Sequence, residues 1–244
     1  MALRARIRGI YYALTNEAIP IHNGENQAPF FIVGSGRCGT TLLRRILQAS
    51  KEVHIPQENW ILRRSISNFK NNRWYLKWEK LAEMVVVDHG LRTKWFDAIP
   101  SDLIRQVTEW SETERSLYRL LDRLYRYHGN SMDAEFSRWG DKTPLNVSHM
   151  EAILETFPDA KFIRLVRDGV DVVHSWSKRP DYLDEIVRPA RRWKNAITSA
   201  QQFAEQYPDH LIELRYEQLC RRPKEATRQV CEFLDLSWRS ELLS

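Results

Sequence analysis

The segment Gly34–Thr41 has the composition of an anion-binding turn. It follows the apolar run Phe30–Val33 and precedes an amphipathic stretch, which is the pattern of a strand, a turn and a helix. Such a turn directs backbone N–H groups and a helix N-terminus towards a bound anion. Arg37 lies within it, and a planar guanidinium suits two oxygens of a phosphate or a sulfate. We therefore predict an anion site here, against the alternative of a tight turn with an incidental arginine.

The spacing of Gly34 and Gly39 is that of a nucleotide P-loop, in which G-x-x-x-x-G is followed by lysine and then by serine or threonine. Here Thr40 stands where the lysine is needed, and Thr41 keeps the hydroxyl position. Because that lysine reaches the β- and γ-phosphates of a nucleoside triphosphate, a magnesium–triphosphate site is not expected. The turn suits a shorter anionic chain.

A second turn of similar pattern lies about 130 residues further along the chain. The apolar run Lys161–Val166 ends in Arg167-Asp168-Gly169, and a predicted helix that carries Ser175 follows. This turn is also expected to direct a helix N-terminus at an anion. Two anion sites in one domain indicate a ligand that is phosphorylated at two separated positions.

A third candidate is Lys142, in the segment Ser137–Pro144, which is predicted to be a short strand that breaks into a loop. A βα loop at that point would project the lysine over the ligand, whereas an exposed loop lysine is the alternative. The chain has no dense cluster of His, Cys and Asp residues with metal-ligand spacing, so no metal is expected.

At these residues the chain resembles the sulfotransferases that use 3′-phosphoadenosine-5′-phosphosulfate (PAPS). The segment Val33–Leu43 is similar to their 5′-phosphosulfate loop, in the arginine-bearing form of many bacterial members and of tyrosylprotein sulfotransferases. Arg167, with Ser175 eight residues later, matches the 3′-phosphate site of the family. The similarity also includes Asp141–Pro144 and Arg215–Leu219.

The resemblance covers roughly residues 29–60 and 138–236. It implies that PAPS is the sulfuryl donor and that 3′-phosphoadenosine-5′-phosphate (PAP, or 3′,5′-ADP) is the product. It assigns the 5′-phosphosulfate to Gly36, Arg37, Cys38, Gly39, Thr40 and Thr41. It assigns the 3′-phosphate to Arg167 and Ser175, ahead of Ser177. Tyr216 is expected near the adenine or a phosphate, with a core tyrosine as the alternative.

The resemblance also assigns the chemical step, to Glu58, Lys142 and Arg37. Similar members use the lysine against the charge on the bridging oxygen in the transition state. Glu58 lies approximately where tyrosylprotein sulfotransferases place a glutamate base, and a carboxylate can serve if it reaches the acceptor hydroxyl. Many cytosolic members use histidine instead; His54 comes nearest here, and we expect it to be structural. Positioning and charge stabilisation do most of the work in such a transfer, so no metal is required.

The elements that must position these residues alternate between strands and helices. This predicts an α/β fold with a central parallel sheet flanked by helices, like that of P-loop NTPases. Residues 1–244 are expected to form one domain, with a helical insertion on the acceptor side at about 60–130 whose tryptophans form either an acceptor-binding wall or core. Further predicted elements are strands at 52–55 and 211–216 and helices at 1–12, 101–127, 145–157, 189–207 and 223–234.

Composition limits the classes of function. Hydrophobic residues make up 43% and charged residues 28%, which is typical of a soluble globular chain, and no apolar run approaches the ~20 residues of a membrane span. Three cysteines form no disulfide framework, which favours a reducing, cytoplasmic location. The net charge of +5 comes from dispersed arginines, such as the pair Arg191-Arg192, that are typical of solvated faces. It suits a small polyanion better than nucleic acid.

We therefore expect a sulfotransferase that moves a sulfuryl group from PAPS to a hydroxyl or amine acceptor. The acceptor could be a small molecule, a glycan, a lipid or a peptidyl side chain, and neither it nor the oligomeric state can be inferred. A small-molecule P-loop kinase and a non-catalytic nucleotide- or anion-binding protein are the alternatives. Family members usually continue beyond the point that corresponds to Leu236 with a basic segment, so we expect either a truncated C-terminus or a different closure of the site.

Overall fold

Five strands form the centre of the molecule, in a computed structural model that describes residues 18–24 and 28–243. They are β1 (Phe30–Gly34), β2 (Val53–His54), β3 (Arg138–Asp141), β4 (Lys161–Val166) and β5 (Leu211–Arg215). Their order in the sheet is β2-β3-β1-β4-β5, and every neighbouring pair is parallel. The predicted α/β class with a parallel sheet is confirmed. The helix predicted at 1–12 lies outside the described residues.

The α-helices of the described residues follow the strands and fill the long segment between β2 and β3. They are α1 (Thr40–Gln48), α2 (Leu62–Asn72), α3 (Trp78–Arg92), α4 (Ser101–Thr108), α5 (Leu117–Ser131), α6 (Met150–Thr156), α7 (Gly169–Ser177), α8 (Val187–Gln206), α9 (Tyr216–Arg221) and α10 (Pro223–Leu234). In this part of the chain we find no helix with the length and apolar character needed to cross a bilayer.

The core lies on both faces of the sheet because side chains alternate along each strand. Phe31 and Val33 pack in one hydrophobic cluster with the helices α2–α6 and α8. Phe30 and Ile32 pack in a second cluster with α1 and α10 on the opposite face. Burial on both faces explains why β1 is an unbroken apolar run rather than an alternating one.

The helical segment α2–α5 serves mainly as core. Trp78 and Trp95 are buried, and Trp110 stacks on Trp78 with ring centres 5.6 Å apart. Trp60, just before α2, is 55% exposed. The tryptophans of this segment therefore differ in role. Trp78 and Trp95 belong to the core, whereas Trp60 is exposed and can contact a ligand.

The single helix predicted at 101–127 is wrong, since the segment forms two helices, α4 and α5. Ser111 and Glu114 form a capping box between them, in which the N–H of Ser111 donates to Oε2 of Glu114 at 2.9 Å. Oγ of Ser116 then accepts from the N–H of Arg119 at 3.1 Å and starts α5. These local caps override the helical spacing of the apolar residues.

The helix predicted at 145–157 is partly wrong, because Pro144–Ser148 forms a 3₁₀ turn and α6 begins only at Met150. The side chain of Asn146 donates to Asp141 at 3.0 Å, which ties this turn to the end of β3. The other predicted elements within the described residues agree with the structure to within two residues at each end.

Candidate active site

The first turn leaves the N-terminus of α1 open. Gly39 precedes the helix with a φ of 95°, in the left-handed region, and no side chain of the described residues caps the first helical turn. A Cβ atom at Gly39 would lie 2.3 Å from the ring of Tyr216, so both the backbone conformation and the packing require glycine. The N–H groups at the start of α1, including those of Thr40 and Thr41, are therefore available to an anion.

The two turns meet because β1 and β4 are neighbouring parallel strands. Arg37, in the first turn, donates from Nε to Oγ of Ser175 at 3.0 Å. Arg167, in the second, donates from Nη1 to the carbonyl oxygen of Arg37 at 3.4 Å, and its guanidinium lies 4.7 Å from the ring centre of Tyr216. Nε of Arg167 is buried without a hydrogen-bond acceptor among the described residues. The residues assigned to the two phosphates thus form one cluster with unused donors.

The second turn differs from the prediction at the N-terminus of α7. Oδ1 of Asp168 accepts hydrogen bonds from the N–H groups of Val170 at 2.9 Å and of Asp171 at 3.2 Å. The expectation that this helix end faces an anion is therefore wrong, because a carboxylate already caps it. An anion at this turn would have to rely on the side chains of Arg167 and Ser175.

Glu58 and Lys142 form an ion pair, although 84 positions separate them in sequence. Nζ of Lys142 lies 2.5 Å from Oε1 of Glu58, and the lysine side chain is nearly buried. The neighbouring residues connect the same two loops: the N–H of Asn59 donates to Oγ1 of Thr143 at 2.9 Å. The pair is therefore held on both sides by the backbone that carries it.

A fully buried carboxylate lies next to this pair, at the end of β3. Asp141 accepts hydrogen bonds from the hydroxyl of Tyr125 at 2.7 Å and from the amide of Asn146 at 3.0 Å. Burial raises the pKa of Asp141 to about 6, against the lowering effect of the Tyr125 hydrogen bond and of Lys142. The same burial raises the pKa of Tyr125. This network joins the helical segment to the loop that carries Lys142.

One cleft of about 520 Å³ collects most of the predicted site residues. Its lining includes Gly36, Arg37, Gly39, Thr40, Thr41, Glu58, Arg167, Ser175 and Tyr216. Cys38 does not line it: the side chain is buried in the core, and burial raises the pKa of its thiol, so only its backbone could contact a ligand. Lys142 lies behind Glu58.

Two residues that the sequence ranked lower have other contacts. Ser177 donates from Oγ to the carbonyl oxygen of His174 at 3.0 Å. Nε2 of His54 lies 2.8 Å from Nδ1 of His128 in the interior, and burial lowers the pKa of both to about 4. His54 is therefore a core residue, in agreement with the structural role predicted for it.

Comparison with known proteins gives the family. A model described as the sulfotransferase family matches residues 29–240. The chain belongs to the sulfotransferase family. It is 27% identical over 237 residues to a protein-tyrosine sulfotransferase of Drosophila melanogaster, and 26% identical over 247 residues to protein-tyrosine sulfotransferase A of Caenorhabditis elegans. Those matches cover 94% and 93% of this chain, but only 42% and 58% of the two relatives.

Solved sulfotransferases share the fold. The sulfotransferase domain of the Synechococcus PCC 7002 olefin synthase superposes with a TM-score of 0.60 at 22% identity, over 91% of this chain and 79% of that one. The sulfotransferase domain of the curacin biosynthetic pathway gives a TM-score of 0.56 at 22% identity, over 90% and 78% of the two chains. The central parallel sheet with flanking helices is therefore that of other sulfotransferases.

The cleft of this sulfotransferase-family chain contains further residues that the sequence did not assign to the donor or to the chemical step. They are Trp60, Pro144, Trp176, Arg179, Asp181, Tyr182 and Arg192. Three of them carry a signal in the sequence: Trp60 begins the predicted helical insertion, Pro144 ends the similar segment Asp141–Pro144, and Trp176 directly follows Ser175. Arg192 corrects a prediction: its pair with Arg191 predicts a solvated face, whereas the side chain of Arg192 lies against the first turn. Among the described residues, no group of three or more His, Cys, Asp and Glu side chains could hold a metal ion.

Proposed function

We propose that the chain transfers a sulfuryl group from PAPS to a hydroxyl acceptor and releases 3′,5′-ADP. One observation carries the proposal: both predicted anion-binding groups and Glu58 line a single cleft. Membership of the sulfotransferase family supports the same chemistry over a kinase, as does the threonine at position 40 in place of the P-loop lysine. Because the chain spans about half the length of the two curated relatives, the donor, acceptor and mechanism are proposals.

The donor suits the cleft in charge and in hydrogen-bonding capacity. PAPS carries a 5′-phosphosulfate and a separate 3′-phosphate. In our proposal the open N-terminus of α1 and Arg37 hold the first group, Arg167 and Ser175 hold the second, and Tyr216 lies beside the adenine or a phosphate. The unused Nε of Arg167 supports this assignment, because a buried charged donor gains most from an anionic acceptor.

The proposed chemical step forms one S–O bond and breaks another. Glu58 accepts the proton of the acceptor hydroxyl, whose oxygen forms the new bond to sulfur. The bond between sulfur and the bridging oxygen breaks, and its electron pair leaves with the 5′-phosphate of 3′,5′-ADP. Lys142, Arg37 and the N–H groups of α1 supply positive charge where the negative charge develops. Protein groups supply this stabilisation, so we propose a transfer without a metal, and EDTA should leave turnover unchanged.

A peptidyl tyrosine is the first acceptor to test, because the two relatives above are protein-tyrosine sulfotransferases. One aromatic side chain of the cleft, Trp60, supports an aromatic acceptor, since it is largely exposed and offers a surface for ring packing. The acceptor panel should also contain a simple phenol, a glycan, a lipid head group and an amine.

Thermal unfolding with 3′,5′-ADP, with AMP and with magnesium-ATP tests the donor site. A ligand at ~100 times its Kd should stabilise the protein by about 2.7 kcal/mol, which raises Tm by a few degrees. We expect a clear rise with 3′,5′-ADP and a smaller one with AMP, which lacks the 3′-phosphate. A response to magnesium-ATP alone would favour the kinase, and donor binding without turnover on any acceptor would favour the non-catalytic alternative.

The role of Glu58 as the base is tested by Glu58→Gln. We expect turnover to fall by roughly 10²–10⁴-fold while 3′,5′-ADP binding stays intact, because the amide keeps the shape and loses the proton acceptor. Glu205→Gln, at an exposed position of α8, is the matched control. Near-normal turnover of Glu58→Gln would remove Glu58 from this role.

A further inference from the structure

A third arginine lies against the first turn, and α8 contributes it. Arg192 is partly buried and lines the cleft. Its Nε donates to the carbonyl oxygen of Ser35 at 3.2 Å, across 157 positions of the sequence. Its guanidinium lies 4.7 Å from the ring centre of Trp176, which belongs to α7. These two contacts hold the guanidinium beside the loop that carries Arg37.

Among the described residues, no carboxylate neutralises Arg192. Other arginines around the sheet form ion pairs: Arg164 with Glu213 at 3.0 Å, and Arg167 with Asp171 at 3.1 Å. The contacts of Arg192 in the same part of the chain are a carbonyl group and an aromatic ring. A partly buried guanidinium of this kind gains from an anionic partner supplied by a ligand.

Trp176 holds a second unused donor at the same place. Its Nε1 is buried and has no hydrogen-bond acceptor within the described ranges. A Cβ atom at Gly36 would lie 3.0 Å from Cζ2 of Trp176 and 3.9 Å from Nη2 of Arg192. Because Gly36 directly precedes Arg37, both donors lie at the arginine-bearing end of the loop. The open N–H groups of α1 lie at its other end.

We propose that Arg192 binds the sulfuryl group of the donor as a second cation beside Arg37, and that Trp176 holds its guanidinium in position. The inference rests on the proposed function. In the proposed function Arg167 and Ser175 hold the 3′-phosphate, while Arg37 and the N–H groups of α1 share the 5′-phosphosulfate. The sulfuryl end of that group is therefore the anionic part of PAPS beside which a second cation would act. Arg192 is adjacent to the loop, is not paired with a described carboxylate, and presents the fork geometry that suits sulfuryl oxygens.

Arg192→Gln tests the inference with two ligands that differ only in the sulfuryl group. In the absence of acceptor, we expect the affinity for PAPS to fall roughly tenfold, while the affinity for 3′,5′-ADP stays within about twofold. Turnover should fall by roughly 10²-fold, because the arginine acts where charge is redistributed in the transition state. Arg192→Lys keeps the charge without the planar fork of the guanidinium. Its affinity for PAPS and its turnover should lie between those of Arg192→Gln and those of the wild type.

Arg191→Gln is the matched control. It removes the same charge from the neighbouring, exposed position of α8 and should leave both affinities and turnover unchanged. Thermal unfolding without ligand shows whether each variant folds, and Arg192→Lys replaces Arg192→Gln in the comparison if the latter does not.

Three results would overturn the inference. Equal losses of affinity for PAPS and for 3′,5′-ADP would mean that Arg192 stabilises the loop through its hydrogen bond to Ser35 and does not bind the sulfuryl group. Unchanged affinities with normal turnover would leave it without a role, and a rise in acceptor KM alone would assign it to the acceptor. Wild-type protein that binds neither ligand would instead refute the proposed function, and this inference with it.

Discussion

The two turns are alike in sequence and different in structure. Each joins a buried strand to a helix and carries an arginine, Arg37 in the first and Arg167 in the second. The first leaves the N-terminus of α1 open, whereas the second closes the N-terminus of α7 with the carboxylate of Asp168. An anion at the first turn would therefore meet backbone dipoles as well as a cation, and an anion at the second would meet side chains.

This difference suits a division of labour in the proposed sulfotransferase. The reacting end of the donor needs hydrogen-bond donors that are already in place where charge develops, and the helix α1 fixes its N–H groups rigidly. The 3′-phosphate does not react, so it needs affinity and selectivity, which Arg167 and Ser175 can supply. The comparison therefore predicts that the first turn governs turnover and the second governs donor affinity.

Among variants of the two turns, the largest effect should come from Arg37→Ala, which removes the cation of the first turn. We expect turnover to fall by roughly 10²–10³-fold, with a smaller loss of 3′,5′-ADP affinity, because the guanidinium acts on the transition state more than on the ground state. Steady-state kinetics and binding of 3′,5′-ADP measure the two effects. Arg45→Ala, at an exposed position of α1, is the control for lost charge. If Arg37→Ala lowers the affinity for 3′,5′-ADP but not turnover, the first turn governs donor affinity, which is the role that the comparison gives to the second turn.

Arg167→Ala should show the opposite pattern. We expect the affinity for 3′,5′-ADP to fall roughly 10- to 100-fold, the size of a charge-assisted hydrogen-bond network, while AMP binding changes little. Calorimetric titration of both ligands gives the ratio, with Lys178→Ala, at the exposed position directly after α7, as the control. If both ligands lose affinity equally, Arg167 holds the loop through the carbonyl oxygen of Arg37 and does not bind the 3′-phosphate.

A third strand end, that of β3, carries a titratable group that is buried, the carboxyl of Asp141. The pKa of Asp141 rises from 3.8 to about 6 in the folded protein, so folding favours its protonated form. Stability from this proton is present below about pH 4 and is lost as the pH rises through about 6. We therefore compare the free energy of unfolding of Asp141→Asn with that of the wild type at each pH. The difference, variant minus wild type, should increase by about 1–3 kcal/mol from about pH 4 to pH 8.

Urea unfolding at several pH values measures this change. Asp159→Asn, at an exposed position before β4, is the control for the substitution itself. A constant difference between Asp141→Asn and the wild type across the pH range would mean that Asp141 titrates alike in the folded and unfolded chains.

The parts of the fold that sequence could predict are those with local causes. The bounds of α10 agree with the prediction because Pro223 suits the first position of a helix. The glycines of the first turn were readable because their spacing is set by the turn itself. The cap at Asp168 also has a local cause, since aspartate is among the preferred residues at a helix N-terminus; its position directly before α7 indicates a capped helix end rather than an open one.

Other parts depend on contacts that no local pattern encodes. Arg192 reaches Ser35 only because α8 packs beside α7 and the end of β1, so its spacing in the sequence carries no signal. Glu58 and Lys142 were each proposed on their own, but their ion pair depends on how β3 and the loop after β2 lie together. The division of the helical segment at Ser111 followed from caps that competed with a regular apolar spacing.

The smallest effect should come from Asp168→Asn, which tests directly whether the closed helix end limits the second turn. Asparagine caps a helix about as well as aspartate, so the hydrogen bonds from Val170 and Asp171 can persist. The negative charge of Asp168 disappears, while the ion pair of Arg167 with Asp171 remains. We expect the affinity for 3′,5′-ADP to rise roughly two- to fivefold at low salt and the gain to shrink as salt screens the charge. Binding at two salt concentrations measures this.

Asp168→Ala separates the cap from the charge. It removes both, so it should gain similar affinity but lose about 0.5–2 kcal/mol in free energy of unfolding, whereas Asp168→Asn should lose less. An affinity that falls in both variants would mean that the carboxylate helps to orient Arg167 rather than offsetting its charge. The two turns would then differ in how they position their arginines, and not in how much positive charge each presents to the donor.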